Sequence, residues 1–273
     1  MIRDPEQHRH ALDLTGLPLF LLALILILFL AAPIVLLEQS LSPSDLASTY
    51  RDPQTLAALL TSLGTASVST CIIAALGVPL AYVLSRVPFP GRTLVSIFTV
   101  LPLVLPPVSA GILLLVLYGP YGTIGQLLAP RGLTFVDTAS GIVLAQVFVS
   151  APFAVVAARS AFDAIDTRFE EAAASLGAHS WQTFWHVALP LARRGIVAGL
   201  ILSWVRSLGE FGATVILAYH PYSLPVLNYV DLSSTGLRQA LPLALLALVV
   251  TGAALLLLFF LEQVEWLGRL SRV

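Results

Sequence analysis

Residues 170–190 read EEAAASLGAHSWQTFWHVALP, a polar and aromatic stretch set among long apolar runs. Of the 273 residues in the chain, 58% are hydrophobic and only 11% are charged, and the mean hydropathy is +0.91. Soluble domains carry about 25% charged residues. The composition therefore indicates an integral membrane protein, in which the quoted stretch is a polar loop between membrane-spanning helices.

Six apolar runs are long enough to cross a bilayer, whose hydrocarbon core takes about 20 helical residues. We predict an all-α polytopic fold, with one transmembrane domain over residues 18–262 flanked by terminal segments 1–17 and 263–273. The first segment is too long and too acidic for the start of a signal peptide, so we expect the first span to be retained. The predicted spans are about 18–37, 56–84, 94–118, 141–158, 196–219 and 241–261.

The arginines indicate the orientation, because positive residues are retained on the cytoplasmic side of a membrane. Ten arginines fall before the first span, after the second, fourth and sixth spans, and only three fall in the alternate loops. Both termini and the loop 163–190 are therefore predicted to be cytoplasmic. The ten are Arg3, Arg9, Arg86, Arg92, Arg159, Arg168, Arg193, Arg194, Arg269 and Arg272, and the three are Arg51, Arg131 and Arg238.

The loop 163–190 carries signals for two short helices. Thr167 and Glu170 have the spacing of a capping box, which predicts that a helix begins there. Gly177 is placed for the left-handed residue that ends such a helix. Ser180 can cap a second helix, which we expect to stop on the approach to Pro190.

The same stretch resembles the cytoplasmic signature of permease subunits of bacterial ABC importers. That signature is E-A-A, three residues, Gly, nine residues, an aliphatic residue, one residue, then L-P. Every fixed position is matched, with valine in place of the commoner isoleucine. The matching residues are Glu171, Ala172, Ala173, Gly177, Val187, Leu189 and Pro190. The resemblance implies a type I ABC importer permease fold, in which the loop 163–190 couples the chain to a cytoplasmic ATP-binding subunit.

The resemblance also implies a set of partners in the bacterial inner membrane. These are the lipid bilayer, an ATP-binding subunit that uses ATP and Mg, an extracytoplasmic substrate-binding protein, and a second permease chain that completes a homodimer. The chain itself is not expected to be an enzyme, because the phosphate-binding loop G-x-x-x-x-G-K needs a lysine and the sequence has none. No bound cofactor or metal is expected, since Cys71 is the only cysteine and lies in an apolar run. A net charge of -1 gives no reason to expect nucleic-acid binding.

Two further stretches place unusual residues inside predicted spans. In RSLGEFGATVILAYHP, Arg206 and Glu210 are four residues apart on one helical face. Each charge costs roughly 2.5–3.5 kcal/mol at the bilayer centre, so both should face the bundle interior. They either neutralise each other as an internal pair or form part of a gate or pathway, and the two interpretations are compatible. The residues beside them, which suit close helix contact or the pathway, are Gly209, Phe211, Gly212 and Thr214.

The third predicted span contains LPLVLPPVSAG, in which Pro102, Pro106 and Pro107 remove backbone donors. A broken helix in a membrane is tolerated where protein or a wet cavity satisfies the freed carbonyl groups. The prolines therefore predict either a simple kink or an interior position beside the pathway.

The segment G-E-F-G-A-T, residues 209–214, resembles the fifth span of molybdate, tungstate and sulfate permeases, and is closer to the molybdate form. This resemblance implies import of a tetrahedral oxyanion, with molybdate or tungstate favoured. After Ala218 the sequence departs from the usual molybdate pattern, so sulfate, ferric iron, thiamine or a polyamine stay open. An alternative of another class is an ion-coupled secondary transporter, with Arg206 and Glu210 as its coupling site. Such a carrier has no reason to contain the 163–190 signature.

Overall fold

The computed structural model describes residues 17–270, and the regular elements in that range are all helical. The first helices are α1 (Leu17–Gln39), α2 (Pro43–Arg51), α3 (Pro53–Arg86), α4 (Arg92–Val104), α5 (Pro107–Tyr118), α6 (Thr123–Leu128) and α7 (Ala139–Asp163). They are followed by α8 (Arg168–Ser175), α9 (Ser180–Thr183), α10 (Leu189–Leu208), α11 (Gly212–Leu217), α12 (Leu224–Ser234) and α13 (Leu237–Leu270). A 3₁₀ turn at Ala129–Arg131 follows α6, and a π-helical turn at Phe184–Ala188 joins α9 to α10.

Over residues 17–270, five helical segments are long and apolar enough to cross a membrane, and α4 with α5 makes a sixth span if the bent pair is counted as one. The five are α1, α3, α7, the run Ser180–Leu208, and α13. The all-helical membrane class is confirmed. Helices α3 and α7 extend a few residues beyond the predicted spans at both ends.

The centre of the bundle is formed by α7, which makes the two most extensive helix contacts of the described residues with α3 and α10; α3 and α10 also contact each other. Small side chains allow this close packing. A Cβ atom added at Gly199 of α10 would lie 2.6 Å from the Cβ of Ala157 in α7, and one added at Gly195 would lie 2.6 Å from that of Ala161. These three spans therefore form one closely packed unit.

The third span is broken at its prolines, as their positions predict. Helix α4 ends at Val104 and α5 begins at Pro107, and the two are bent by 117°. Pro106 and Pro107 occupy the cap and the first position of α5. At these positions a backbone N–H has no intrahelical acceptor, so proline costs no hydrogen bond. Pro102 stays inside α4.

The predicted fifth span, about 196–219, contains a break that the sequence did not predict. Helix α10 ends at Leu208 and α11 begins only at Gly212, so residues 209–211 interrupt the span. The physical reason is a side-chain contact: the Glu210 carboxylate accepts a hydrogen bond from the Ala213 N–H at 2.8 Å, which supports a new helix start.

The prediction that the second loop helix stops before Pro190 is wrong. The chain continues from α9 through the π-helical turn directly into α10, whose first turn contains Pro190. Proline is accepted in the first turn of a helix, because the donor that it lacks has no intrahelical partner there. The loop therefore runs into the fifth span without a break.

Three short helices, α2, α6 and α12, were not predicted. Helix α2 has strong local signals: the Ser42 hydroxyl accepts a hydrogen bond from the Asp45 N–H at 3.2 Å, and Pro43 is the first helical residue. The apolar runs of α2, α6 and α12 are too short to be recognised as spans. Such helices need capping signals to be found in a membrane sequence.

Candidate functional site

The loop between α7 and α10 contains the sharp glycine turn that its sequence predicts. Gly177 has φ of +88°, in the left-handed region, and follows α8 directly after Leu176. The Gly177 N–H donates to the Ala174 carbonyl at 2.9 Å, and the Ala178 N–H donates to the Ala173 carbonyl at 3.0 Å. These bonds close the end of α8 and turn the chain toward α9.

The predicted start of a helix after Thr167 is confirmed, but the predicted side-chain caps at Thr167 and at Ser180 are wrong. Thr167 occupies the cap position of α8, but its side chain makes no capping hydrogen bond. Its expected partner, Glu170, is instead bound to Arg86. At α9, Ser180 is the first helical residue and His179 is the cap, with its N–H donating to the Gln182 side chain at 3.0 Å.

A cluster of side chains fastens α8 to the ends of α3 and α7. The Arg86 Nε lies 2.7 Å from Glu170 Oε1, and these side chains are only 12% and 14% exposed. The Tyr82 hydroxyl donates to Glu170 Oε2 at 3.2 Å. Arg86 also donates to the backbone carbonyls of Phe162 at 2.7 Å and Ile165 at 3.1 Å. Because charge-assisted hydrogen bonds are strong, α8 is expected to move together with α3 and α7.

The signature residues of the loop lie at different depths. Glu171 and Ala172 are exposed on α8, whereas Ala173 is half-buried. Val187 is half-buried in the π-helical turn. Leu189 is half-buried and Pro190 is exposed at the start of α10.

Large apolar side chains are exposed beside these signature residues. Phe169, Trp181 and Trp185 are exposed, and Leu176 at the turn is 90% exposed. We call these four residues the loop patch. Soluble surfaces seldom display such clusters unless a partner covers them, so this end of the loop is suited to a protein contact.

A second candidate site lies where the broken third and fifth spans meet. A Cβ atom added at Gly212 would lie 2.5 Å from the Cβ of Pro107, and one added at Gly111 would lie 2.9 Å from the Cα of Ala213. Only glycine permits such an approach. The beginning of α5 and the beginning of α11 are therefore in direct backbone contact at the two breaks.

Arg206 and Glu210 form an ion pair at this junction, as one interpretation of their spacing predicts. Arg206 Nη2 lies 2.6 Å from Glu210 Oε2; the Glu210 side chain is fully buried and that of Arg206 is 28% exposed. Glu210 lies beyond the end of α10, so the pair spans the break and does not lie along one helix face. Through its bond to the Ala213 N–H, Glu210 also connects α10 to α11.

A small cavity of about 130 Å³ lies beside Arg206, between α4, α5 and α7. It brings together three of the predicted pathway residues, and its lining consists of Pro102, Leu103, Leu105, Pro107, Val149, Phe153 and Arg206. Phe211 lies elsewhere, with its ring centroid 5.1 Å from that of Tyr229 in α12. Thr214 is buried in α11. Pro106 lies at the break in the third span, and Gly209 lies at the break in the fifth span.

Two kinds of functional candidate were not predicted from the sequence. Arg86 and Tyr82 lie at the end of an apolar span, and only the folded chain brings them to Glu170, 84 residues away from Arg86. Gln146 is a buried amide inside the fourth span, and a glutamine in an apolar run was the available signal. Among the described residues, no group of three or more His, Cys, Asp or Glu side chains could hold a metal ion.

Discontinuous membrane helices of this kind are found in membrane transport proteins. The family model for the inner membrane component of binding-protein-dependent transport systems matches residues 75–265. The chain belongs to this family. It is therefore a multi-pass inner membrane component of a transport system.

Several relatives are similar over most of their length. The chain is 45% identical to a probable molybdenum ABC transporter permease of Haloferax volcanii, over 90% of each chain. It is 37% identical to a molybdate/tungstate transport system permease of Thermococcus kodakarensis, over 81% of this chain and 85% of that protein. It is also 37% identical to a molybdenum transport system permease of Escherichia coli, over 81% of this chain and 96% of that protein.

The fold is that of a solved ABC transporter. A crystal structure of a bacterial ABC transporter for the import of alginate superposes with a TM-score of 0.70, covering 92% of this chain and 95% of that chain. The sequence identity is 20%, so the likeness concerns the fold. The predicted ABC importer permease fold is confirmed.

Proposed function

We propose that this chain is the membrane permease of an ABC importer for molybdate or tungstate. The observation that carries the proposal is the 45% identity to a probable molybdenum permease over 90% of both chains. Two further relatives named for molybdenum or for molybdate and tungstate support it. Family membership favours this function over an ion-coupled carrier.

The loop patch is proposed to dock on the ATP-binding subunit, which uses ATP and Mg. In this arrangement Glu171, exposed on α8, contacts that subunit, while Glu170 holds α8 to the bundle through Arg86. The small side chains Ala172 and Ala173 allow the partner to approach the backbone of α8. Large exposed aromatic groups such as Trp181 supply contact area of the kind that dominates protein interfaces.

The junction of the broken spans is proposed to act as the gate. Arg206 faces the cavity beside the proline break, where an oxyanion meets a positive guanidinium group. Its partner Glu210 balances this charge, so an anion passes without being held tightly. Selection is assigned to the extracytoplasmic binding protein, because Arg206 is the single charged side chain in the lining of the cavity and is already paired with Glu210. The lining therefore lacks the several converging polar groups of a dedicated anion site.

We also propose the assembly and the orientation of the chain in the membrane. A second copy of the chain completes a homodimeric pathway, the transmembrane domain covers 18–262, and both termini and the loop 163–190 face the cytoplasm. The arginine distribution supports this orientation. Residues 1–16 and 271–273 lie outside the described residues.

Reconstitution tests the proposed function. The chain is placed in proteoliposomes with the ATP-binding subunit and the binding protein from the same genome, and uptake of molybdate, tungstate and sulfate is measured with and without ATP. We expect ATP-dependent uptake of molybdate and tungstate, with sulfate competing weakly. ATP-dependent uptake of sulfate alone, or uptake of the same size with and without ATP, would contradict the proposal.

A further inference from the structure

Gln146 is a buried hydrogen-bond donor inside α7. The residue is 1% exposed. Its Nε2 donates to Thr65 Oγ1 of α3 at 3.2 Å and to the backbone carbonyl of Ser207 in α10 at 3.1 Å. One side chain therefore joins the three spans that form the centre of the bundle.

Further hydrogen bonds continue from this point between the same three spans. The Ser69 hydroxyl of α3 donates to Ser207 Oγ at 3.2 Å, and the Ser203 hydroxyl of α10 donates to the Ser150 carbonyl of α7 at 3.0 Å. We call this set of buried residues the polar seam; its members are Thr65, Ser69, Gln146, Ser150, Ser203 and Ser207. A lipid environment offers no water to replace such bonds, so the seam holds the three spans in a defined register.

The seam ends where the fifth span breaks. The Ser207 carbonyl accepts hydrogen bonds from Gln146 and from the N–H of Glu210, the latter at 3.1 Å. Helix α10 ends one residue later, at Leu208, and Arg206 immediately precedes Ser207. Gln146 therefore binds the last turn of α10 beside both members of the Arg206–Glu210 pair.

The side chain of Gln146 has spare hydrogen-bonding capacity. Its Oε1 is buried and has no hydrogen-bond partner among the described residues, and the Ser150 hydroxyl, one turn away on α7, is in the same state. An unpaired buried acceptor costs free energy, which an apolar residue of similar size would avoid. The retained acceptors can accept new bonds when the spans change position.

We propose that Gln146 is a positioning residue of the transport gate, which fixes the Arg206–Glu210 pair to α3 and α7. This inference rests on the proposed function and deepens it. The loop helix α8 is bound by Arg86 to the ends of the same two spans. A displacement of the loop therefore reaches the pair through α3 and α7, and Gln146 makes the last connection.

The test measures ATP hydrolysis and molybdate uptake in the same proteoliposomes of the complete complex. Gln146→Met keeps the shape of the side chain and removes both donors. We expect ATP hydrolysis to stay within about twofold of wild type and uptake to fall roughly tenfold, a coupling loss of the size found for residues that link distant sites. More ATP is then consumed per anion imported.

The matched control is Thr251→Val on α13, which removes a hydroxyl bonded only to carbonyls of its own helix. It should leave the ratio of ATP hydrolysed to anion imported at the wild-type value. A parallel fall of hydrolysis and uptake in Gln146→Met, or an unchanged ratio, would overturn the proposal, because a merely structural defect lowers both activities together.

Two further outcomes are distinguishable. If Gln146→Met does not assemble, Ser69→Ala removes a single bond of the seam and should raise the same ratio to a smaller extent; an unchanged ratio contradicts the inference. If the wild-type complex imports neither molybdate nor tungstate, the proposed substrate is wrong. The ratio is then measured with the anion that the binding protein retains, and the prediction for Gln146 is unchanged.

Discussion

Two adjacent glutamates show how position decides the role of a residue. Glu170 is directed into the bundle and bound by Arg86 and Tyr82, whereas Glu171 is exposed on the outer side of α8. On a helix, neighbouring residues point about 100° apart, so one can anchor the helix while the next contacts a partner. The signature includes only Glu171, yet the helix is held in place by Glu170.

Gly177 provides a prediction at the residue scale. A β-branched residue in its left-handed conformation costs roughly 1–2 kcal/mol, so Gly177→Val is expected to distort the loop and abolish uptake while the chain still inserts into the membrane. The control is Gly132→Val, because Gly132 also has positive φ and open space around its Cα but lies in another loop. Membrane content is measured by immunoblot and uptake by radiolabelled molybdate. Normal uptake in Gly177→Val would remove the coupling assignment.

The Arg206–Glu210 pair provides a second prediction. Removing one partner leaves a buried charge without its counter-charge. Arg206→Gln and Glu210→Gln should therefore each lower the free energy of unfolding by more than half of the loss in the double variant. We expect a coupling free energy above about 1 kcal/mol in a double-mutant cycle on thermal stability in detergent. The more exposed pair Arg159–Asp163, with a longer contact of 3.6 Å and side chains 34% and 48% exposed, has the same spacing and should couple by less than about 0.5 kcal/mol. Additive effects at Arg206 and Glu210 would contradict the interpretation.

At the scale of elements, the protein is organised by where its helices are interrupted. The third and fifth spans are both broken, and the second halves of both, α5 and α11, pack directly against each other. The cause differs: prolines break the third span, whereas a buried carboxylate starts a new helix in the fifth. Only the first cause is visible in the sequence as a helix-breaking residue.

The connection of α8 to α3 provides a prediction at this scale. Glu170→Gln removes the ion pair with Arg86, and hydrogen bonds to charged groups are worth about 1.5–3 kcal/mol each. We expect a lower thermal stability in detergent and weaker uptake. Arg168→Gln is the control, because its contact with Asp166 is long, at 3.9 Å, and exposed, so it should change neither quantity. Wild-type stability in Glu170→Gln would show that α8 is held by other contacts.

The close contact of α5 and α11 provides a further prediction. Gly212→Ala places a methyl group 2.5 Å from the Pro107 Cβ, and overpacking of this kind costs typically about 1–3 kcal/mol. Gly64→Ala in α3 meets no atom within 4 Å and should be neutral or stabilising. Thermal unfolding in detergent compares the two variants. Equal stabilities would mean that the junction can open without cost.

At the scale of the whole molecule, the proposed orientation can be tested by labelling. The only cysteine, Cys71, is first replaced by serine. Leu176→Cys in the loop patch and Tyr121→Cys between α5 and α6 then introduce single thiols at sites that are 90% and 95% exposed. A membrane-impermeant maleimide should label Tyr121→Cys on intact cells and Leu176→Cys only after permeabilisation. The reverse pattern would invert the orientation.

Much of the membrane fold follows from the sequence by itself. The apolar runs predict the spans, the prolines predict the break in the third span, and Gly177 predicts the turn after α8, because each depends on composition or on neighbours within one or two helical turns. The spacing of the loop signature belongs to the same kind of information. Predictions that assumed ideal local capping, at Thr167 and Ser180, were wrong.

Only the tertiary structure decided which distant groups share a site. Glu170 pairs with Arg86 and does not form the predicted local cap. The two broken spans meet through Gly212 and Pro107. Gln146 donates to Ser207, 61 residues along the chain. In lipid no water is available to a buried polar group, so the partners that it has lie within the protein, and no rule of local spacing identifies a partner on another helix. The sequence alone therefore determined the spans and the family signature, and the packing of the helices determined the ion pairs and the junction of the two broken spans.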